Sequence, residues 1–386
     1  MDTREKRPLD ELEKGFLPHE SWEVLEWGEC GKLGGRSRAG CEGSTYKIMF
    51  AITLLVLCWH YGFVVARPSE IARRVDGVPN YVIDYAPIVY LDTAEAYFPS
   101  DIGAQLANTQ PEINFSVIPN APNPLTVNNV DSLNGFGSGG SDVYLTTTID
   151  ITKSPAPKWL EGVVPDSSGK TGSAVSSAII VNDHGSGAID AFYMYFYAYN
   201  QGNTVLGQEL GDHIGDWEHN MIRFKDGVPQ HVWYSQHSGG QAFTYRATEK
   251  VGKRPVSYSA KGSHANYAIG GKHDHTIPGL NLPDGLIVDH TSKGVSWDPT
   301  LSSYYYNFKP SDGSFEGINN SPVAPMNFKG KWGDAQYKDD DKRQKEFFGF
   351  KKFVGGPTGP GDKQLNRTKV CPESDVPCVL RDKLVP

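Results

Sequence analysis

The sequence is short of positive charge. Its 37 Lys and Arg stand against 45 Asp and Glu, a net charge of -8 with histidine neutral, and the dense charge clusters lie only near the two ends. That leaves no electrostatic footprint for nucleic acid, so no nucleic-acid partner is expected. Short catalytic signatures are missing as well. There is no G-x-S-x-G elbow, no H-E-x-x-H pair and no Walker-type glycine loop, so spacing nominates no nucleophile, although a Ser/His/Asp triad could be assembled from distant residues. No fixed-period repeat is visible. Cysteine is scarce, with five in 386 residues.

What the chain does have favours strands and turns. It carries 42 Gly, 26 Pro and 11% aromatic residues, with stretches rich in Tyr, Asn, Ser and Thr, the composition of short strands joined by tight turns. The length allows two ordinary domains or one large β unit. Apolar runs bounded by Pro, Gly and Asn start at Tyr81 with YVIDYAPIVYL, and further candidate strands lie at residues 143–151 and 178–181. The clearest strand is 192–199, FYMYFYAY, where Tyr193, Tyr195, Tyr197 and Tyr199 alternate with Phe192, Met194, Phe196 and Ala198. Period two places the tyrosines on one face, read as the wetter one, and the apolar set on the other. Next comes RFKDGVPQHVWY, a hairpin pattern with Asp226-Gly227 at its turn.

One apolar run is long. Residues 48–66, IMFAITLLVLCWHYGFVVA, contain no Asp, Glu, Lys or Arg, and a helix of that length just crosses a bilayer core. Lys32, Arg36, Arg38 and Lys47 precede it while Arg67, Arg73 and Arg74 follow, so the positive-inside rule casts no vote on orientation. Two other features do. Cys371 and Cys378 sit in CPESDVPC, a close pair that suits a disulfide in an oxidising compartment, and the glycosylation acceptors Asn114, Asn319 and Asn366 all follow the apolar run. The resulting expectation is a single-pass signal anchor in the secretory or vacuolar membrane system. Residues 1–47 form a disordered cytosolic tail, 67–325 a lumenal β domain, and 326–386 an extended tail packed on that domain. The alternative is a signal peptide starting at Met49, cut after Val64-Val65-Ala66, with the remainder secreted.

Nine of the eleven histidines fall between positions 184 and 290, centred on Asp212-His213-Ile214-Gly215-Asp216-Trp217-Glu218-His219. If residues 216–224 form a strand, Asp216 and Glu218 share a face, and His213 on the preceding turn can swing to meet them. Like charges held that close raise each other's pKa, and a divalent cation resolves the conflict. Carboxylate-dominated ligation points to Ca²⁺ or Mg²⁺, with Mn²⁺ next and Zn²⁺ last. The competing reading is a solvated acidic turn. Further residues that could join the site are Asp212, His219, His264 in Ser263-His264-Ala265-Asn266, and Asp289. His273-Asp274-His275, flanked by Gly270-Gly271 and Pro278-Gly279, reads as a solvent-exposed loop.

Several segments in consistent order carry a family resemblance: YAPIVYL (85–91), GDWEH (215–219), YSAKGSHANY (258–267), a run ending in SWDP at Pro299, FKGKWGD (328–334) and GPTGPGDK (356–363). Together they resemble the vacuolar protein sorting-associated protein 62 family over nearly everything after residue 80, which implies a part in delivery to the vacuole. The stretch DHIGDWE is also similar to the heptapeptide GHRHDWE of necrosis- and ethylene-inducing-like toxins. His213, Asp216, Trp217 and Glu218 match, whereas Gly215 replaces the second histidine and Asp212 the opening glycine. This likeness implies a β-sandwich with His213, Asp216 and Glu218 as ligands of a divalent cation that serves recognition of a membrane sphingolipid headgroup. For the toxins' upstream Asp ligand, Glu209 or Asp212 could substitute.

The fold expected is therefore all-β, a β-sandwich with irregular loops, preceded by one N-terminal transmembrane helix or signal segment. The function expected is a non-enzymatic protein of vacuolar sorting that binds a polar headgroup or glycan through its cation. One alternative is a metal-assisted hydrolase in which the ion activates water and His264 or His219 is the general base. The other is a secreted cytolysin-like effector.

Overall fold

The computed structural model describes residues 74–275, 287–347, 349–374 and 377–384. Residues 1–47 and the apolar segment 48–66 lie outside the described residues, and so do the tail and anchor expected there. No described helix is long and apolar enough to cross a membrane.

Two strands carry the fold. Ala188–Asn200 and His213–Lys225 are each 13 residues long and pair antiparallel from Ala188 opposite Lys225 to Asn200 opposite His213. Their run of aromatic and β-branched side chains suits an extended backbone packed on neighbours. After Lys225 the chain turns in two residues. Asp226 and Gly227 both adopt positive φ, 51° and 77°, the twist that a two-residue hairpin needs, and Val228–Gln236 returns alongside. This is the hairpin expected from the sequence.

Among the described residues the pair sits inside an eight-stranded sheet. From one edge the order is Ser314–Ile318, Ser303–Lys309, Ser177–Asp183, Ala188–Asn200, His213–Lys225, Val228–Gln236, Gly239–Thr244 and Leu380–Arg381. A smaller sheet of Lys250–Val251, Arg254–Ser259, Ile88–Leu91, Ser296–Trp297 and Asn266–Tyr267 covers one face of it. There Tyr193, Tyr195, Tyr197, Ile222 and Phe224 meet Val89, Leu91 and Trp297. On the opposite face Phe192, Met194, Phe196, Trp217 and Met221 pack against Ile102, Leu106, Leu133, Leu145 and Trp332, contributed by connecting segments.

With both faces covered, the central strands are buried almost without interruption, as sheets enclosed on two sides are. The alternation of tyrosine and apolar residues therefore does not separate wet from dry. Tyr193, Tyr195 and Tyr197 are fully buried, and their hydroxyls find internal partners. Tyr193 donates to the Val82 carbonyl at 2.7 Å, Tyr195 to Asn220 Oδ1 at 2.8 Å, and Tyr197 shares a 3.3 Å bond with Ser259. Burying a phenol is tolerable when its oxygen is paired.

Described helices are short, and two strand expectations shrink. Residues 80–84 form a helix, Asn80–Asp84, started after Pro79 and ended ahead of Pro87, which disfavours helical backbone in the residue before it. Only Ile88–Leu91 of that segment is a strand. The candidate at 143–151 is extended only over Tyr144–Thr147, while Ile151 packs into a separate small cluster with Tyr199 and Phe353.

Residues beyond 326 lie across this framework. Trp332, Phe353, Leu365 and Val370 are buried, and Leu380–Arg381 pairs in parallel with Gly239–Thr244. Cys371 and Cys378 form a disulfide. Backbone carbonyls of the tail are held by side chains of the sheet, Asn182 to Leu365 at 2.9 Å and Arg223 to Arg367 at 2.9 Å. At the other end of the central pair, Lys352 Nζ bonds Asp212 at 2.7 Å and Glu209 at 2.6 Å. Asp212 is fully buried, so removing its cation strands a charge. Lys352→Met is expected to destabilise the fold by about 3–5 kcal/mol, measured by urea unfolding; a change near zero would show that Asp212 does not depend on this pair.

Candidate functional site

Strand alternation sorts the acidic motif. Asp216, Glu218 and Asn220 lie opposite Tyr197, Tyr195 and Tyr193, on the face covered by the smaller sheet, whereas Trp217 and Met221 join the opposite core. Asp216 and Glu218 are about 95% buried, with 5% and 6% exposure. His213 is the first residue of the same strand rather than part of a turn before it.

Gly215, which stands where the toxin heptapeptide has its second histidine, has a physical reason to be glycine. Its φ is +65°, and a Cβ there would lie 2.2 Å from the carbonyl oxygen of Trp332. Gly333 crosses equally closely, since its own Cβ would meet the Ile214 carbonyl oxygen at 1.9 Å. The FKGKWGD segment thus passes directly over the motif, backbone against backbone, and leaves no room for a side chain at 215.

The loop that follows Arg254–Ser259 brings His264 onto the acidic face. His264 is fully buried with positive φ, 56°, and its ring stacks on Tyr197 with centroids 3.7 Å apart and planes within 2°. Nδ1 lies 3.0 Å from Asp216 Oδ2 and Nε2 lies 3.0 Å from the Tyr97 carbonyl oxygen, with Glu95 at 3.9 Å. Acceptors at both ring nitrogens demand two donors, the imidazolium form. Burial opposes that charge, but the Asp216 hydrogen bond and the nearby Glu95 outweigh it and raise the pKa.

His213 is set up differently. Its Nδ1 is 2.8 Å from the Gly215 carbonyl oxygen, so Nδ1 donates and Nε2 keeps its lone pair, the arrangement of a ligating imidazole. Burial lowers its pKa, only partly opposed by Asp216. Glu218 is the least settled group. Its Oε2 is buried without any partner. Burial first, and the Asp216 carboxylate second, push its pKa well above the usual range.

A second cluster adjoins the first. Asp289, fully buried, accepts from Ser263 Oγ and Tyr267 OH, each at 2.8 Å. His237 Nε2 lies 2.8 Å from its Oδ2 and His275 Nε2 lies 3.6 Å from its Oδ1. Burial works against charge on His237, but Asp289 outweighs it and raises the pKa to about 9. Among the described residues, these three are the group whose candidate ligand atoms all lie within 4.8 Å of one another.

Of the residues singled out from the sequence, Asp216 meets His264 at 3.0 Å and Asp289 anchors the neighbouring cluster, whereas His213, Asp216 and Glu218 are not, among the described residues, a set whose ligand atoms all lie within 4.8 Å of one another. Asp212 is committed to Lys352, with burial raising its pKa to about 6. His219 faces the other layer, its Nε2 3.0 Å from Arg367 Nη2. The stretch at 273–275 is not a solvent-exposed loop. Gly271–Asp274 is a strand paired with Val288–Thr291, and His273 and Asp274 are buried. Asn114, Asn319 and Asn366 are all exposed. Glu95, Tyr97 and His237 escaped the sequence reading because they meet their partners across long separations; the density of histidines between 184 and 290 was the one signal for His237.

Comparisons with known proteins bear on this arrangement. The family described as Vacuolar protein sorting-associated protein 62 matches residues 196–333, a span containing His213, Asp216, Glu218, His237, His264, His275 and Asp289. The vacuolar protein sorting-associated protein TDA6 of Saccharomyces cerevisiae is 36% identical over 325 residues, 76% of this chain and 68% of the relative. The chain belongs to the vacuolar protein sorting-associated protein 62 family. The yeast protein named Vacuolar protein sorting-associated protein 62 is itself 32% identical over 337 residues, 79% of this chain and 71% of its own. Among solved structures, the chain is similar to Necrosis and Ethylene inducing Protein 2 from the causal agent of cocoa's Witches Broom disease, at 12% identity and a TM-score of 0.28 over 52% of this chain and 72% of that one. The non-toxic HaNLP3 protein gives 13% and 0.26 over 61% and 80%. Scores this low carry no argument here; the family assignment rests on the yeast relatives.

The environment of His219 sets a pH dependence. Burial, then the Arg367 guanidinium, holds its pKa well below the usual imidazole value, so the folded chain keeps it neutral while the unfolded chain protonates near pH 6.5. Below that pH the unfolded state binds the extra proton, and folding stability falls with pH by up to about 1.4 kcal/mol per unit from this group. Urea unfolding of wild type and His219→Gln between pH 7 and pH 5 should show the wild type losing more; parallel slopes would mean that His219 is protonated in the fold.

Proposed function

We propose that this member of the family is a non-enzymatic protein of vacuolar sorting, which holds a divalent cation between Asp216 and Glu218 and presents it to a polar headgroup or glycan. The observation that carries this reading is Glu218 Oε2, buried and unpartnered beside a second buried carboxylate. An unsatisfied buried oxygen costs about 1–3 kcal/mol, more when it is charged, and an ion bound there removes both that cost and the repulsion from Asp216. His213 offers Nε2 as a further ligand. His264 already supplies positive charge to Asp216 from the other side, which leaves the carboxylate oxygens as the dominant donors. Such a donor set favours Ca²⁺ or Mg²⁺ over softer ions.

Membrane attachment through residues 48–66, with the β domain in the lumen, fits the same proposal. The Cys371–Cys378 disulfide suits an oxidising compartment, and the three sequons are exposed where a glycan could be attached.

Thermal unfolding of the full chain in Ca²⁺, Mg²⁺ and Mn²⁺ tests the proposal against an Asp216→Asn/Glu218→Gln variant. Ion at 100-fold its dissociation constant adds about 2.7 kcal/mol, so the wild-type melting temperature should climb with ion concentration while that of the variant stays flat. An identical response in both would remove the site. A response in the wild type makes it worth asking, by co-sedimentation with phosphatidylcholine vesicles with and without a glycosphingolipid, whether headgroup binding needs the ion.

A further inference from the structure

The cluster at His237, His275 and Asp289 is not used by the function proposed above, and its chemistry differs from that of the carboxylate pair. Two imidazoles and one carboxylate form the donor set of zinc and its neighbours, not of calcium or magnesium. We propose that His237, His275 and Asp289 form a second metal site, of zinc class, with three protein ligands and an open position.

The geometry needs little adjustment. Tetrahedral ligands at about 2.0–2.1 Å from zinc lie about 3.3 Å from one another. The His237 and His275 nitrogens are 2.8 and 3.6 Å from the two oxygens of Asp289, on either side of that value. The two rings lie with centroids 4.2 Å apart, so both present Nε2 to the same carboxylate. Asn203 Nδ2 lies 2.9 Å from His275 Nε2, a contact that a metal bound to that nitrogen would displace.

The supports of a metal site are also in place. Asp289 is oriented by Ser263 Oγ, Tyr267 OH and, at 3.3 Å, Asn203 Nδ2, the outer hydrogen bonds that fix a ligating carboxylate. His237 occupies the two-residue turn between Val228–Gln236 and Gly239–Thr244 with φ of 54°, a position where Asn or Gly is ordinarily found. Backbone strain of this kind persists where surrounding structure holds it. Both imidazoles line a cavity of about 230 Å³, walled by Trp233, Tyr267, Asp274 and the Cys371–Cys378 disulfide. A metal here would be reached from solvent through His237, the exposed member of the set, and its fourth position would be filled by water or an anionic group in the cavity.

The test uses the full chain, loaded with Zn²⁺ in the presence of excess Ca²⁺ and dialysed, with zinc per chain measured by competition against a chromogenic chelator. Co²⁺ in place of Zn²⁺ supplies a visible absorption band that reports coordination geometry. Wild type should retain one zinc that His237→Ala/His275→Ala does not, and Asp216→Asn/Glu218→Gln should keep it. Tyr267→Phe, which removes no ligand, should weaken zinc binding about 10–100-fold. Equal zinc in the wild type and the histidine variant overturns the proposal. Zinc lost from the carboxylate variant overturns it as well, whether the histidine variant keeps its zinc or loses it, because the metal then belongs to the Asp216/Glu218 site or to one merged centre. Because the calcium response is read separately, failure of the carboxylate site and failure of this one are distinguishable.

Discussion

Two carboxylates held inside a sheet that is covered on both faces set the terms for much of this molecule. Asp216 and Glu218 share a face of the strand that pairs with the tyrosine-rich Ala188–Asn200, and the smaller sheet closes over that face. Leaving such groups ionised and alone in a dry layer is among the most unfavourable arrangements a fold can contain. The surroundings answer residue by residue. His264 reaches in as a cation and stacks on Tyr197, and the neighbouring phenols of Tyr193, Tyr195 and Tyr197 direct their hydroxyls to Val82, Asn220 and Ser259 instead of competing for the acids. One oxygen, Glu218 Oε2, is left over, and the account of function rests on it.

The C-terminal segment belongs to the same solution. It supplies Trp332, whose carbonyl lies against Gly215 and also accepts from buried Gln105 Nε2 at 2.7 Å. It supplies Lys352 for Asp212, and Arg367 for His219. Arg367 is itself buried, caged by the carbonyls of Lys363, Gln364 and Val370 and placed over the Phe192 ring at 5.0 Å. Two polar side chains of the motif, Asp212 and His219, and the backbone at Gly215 are therefore conditioned by residues more than a hundred positions away.

That separation explains what the sequence could and could not tell. The strand-rich architecture, the Asp226-Gly227 hairpin, the Cys371–Cys378 pair and the common face of Asp216 and Glu218 are local, set by composition, turn chemistry or a period of two, and all were readable. The environment of the tyrosines was not, because period two marks which side a residue faces but not whether a second layer covers it. His264 was readable only as a candidate. The assignments of Asp212 to Lys352 and of His219 to Arg367 depend on how the tail lies, and nothing near either residue announces it. His237 joins Asp289 through a turn conformation that a histidine rarely adopts, so its neighbourhood in the sequence looked unremarkable.

The most direct test is X-ray diffraction from crystals of the protein soaked in Mn²⁺, with data collected at the manganese absorption edge. The account predicts an anomalous-scattering peak within coordination distance of Glu218 Oε2 and an oxygen of Asp216. Glu218 Oε2 found instead hydrogen-bonded to an ordered water, or sharing a proton with Asp216, and with no peak nearby, would contradict it.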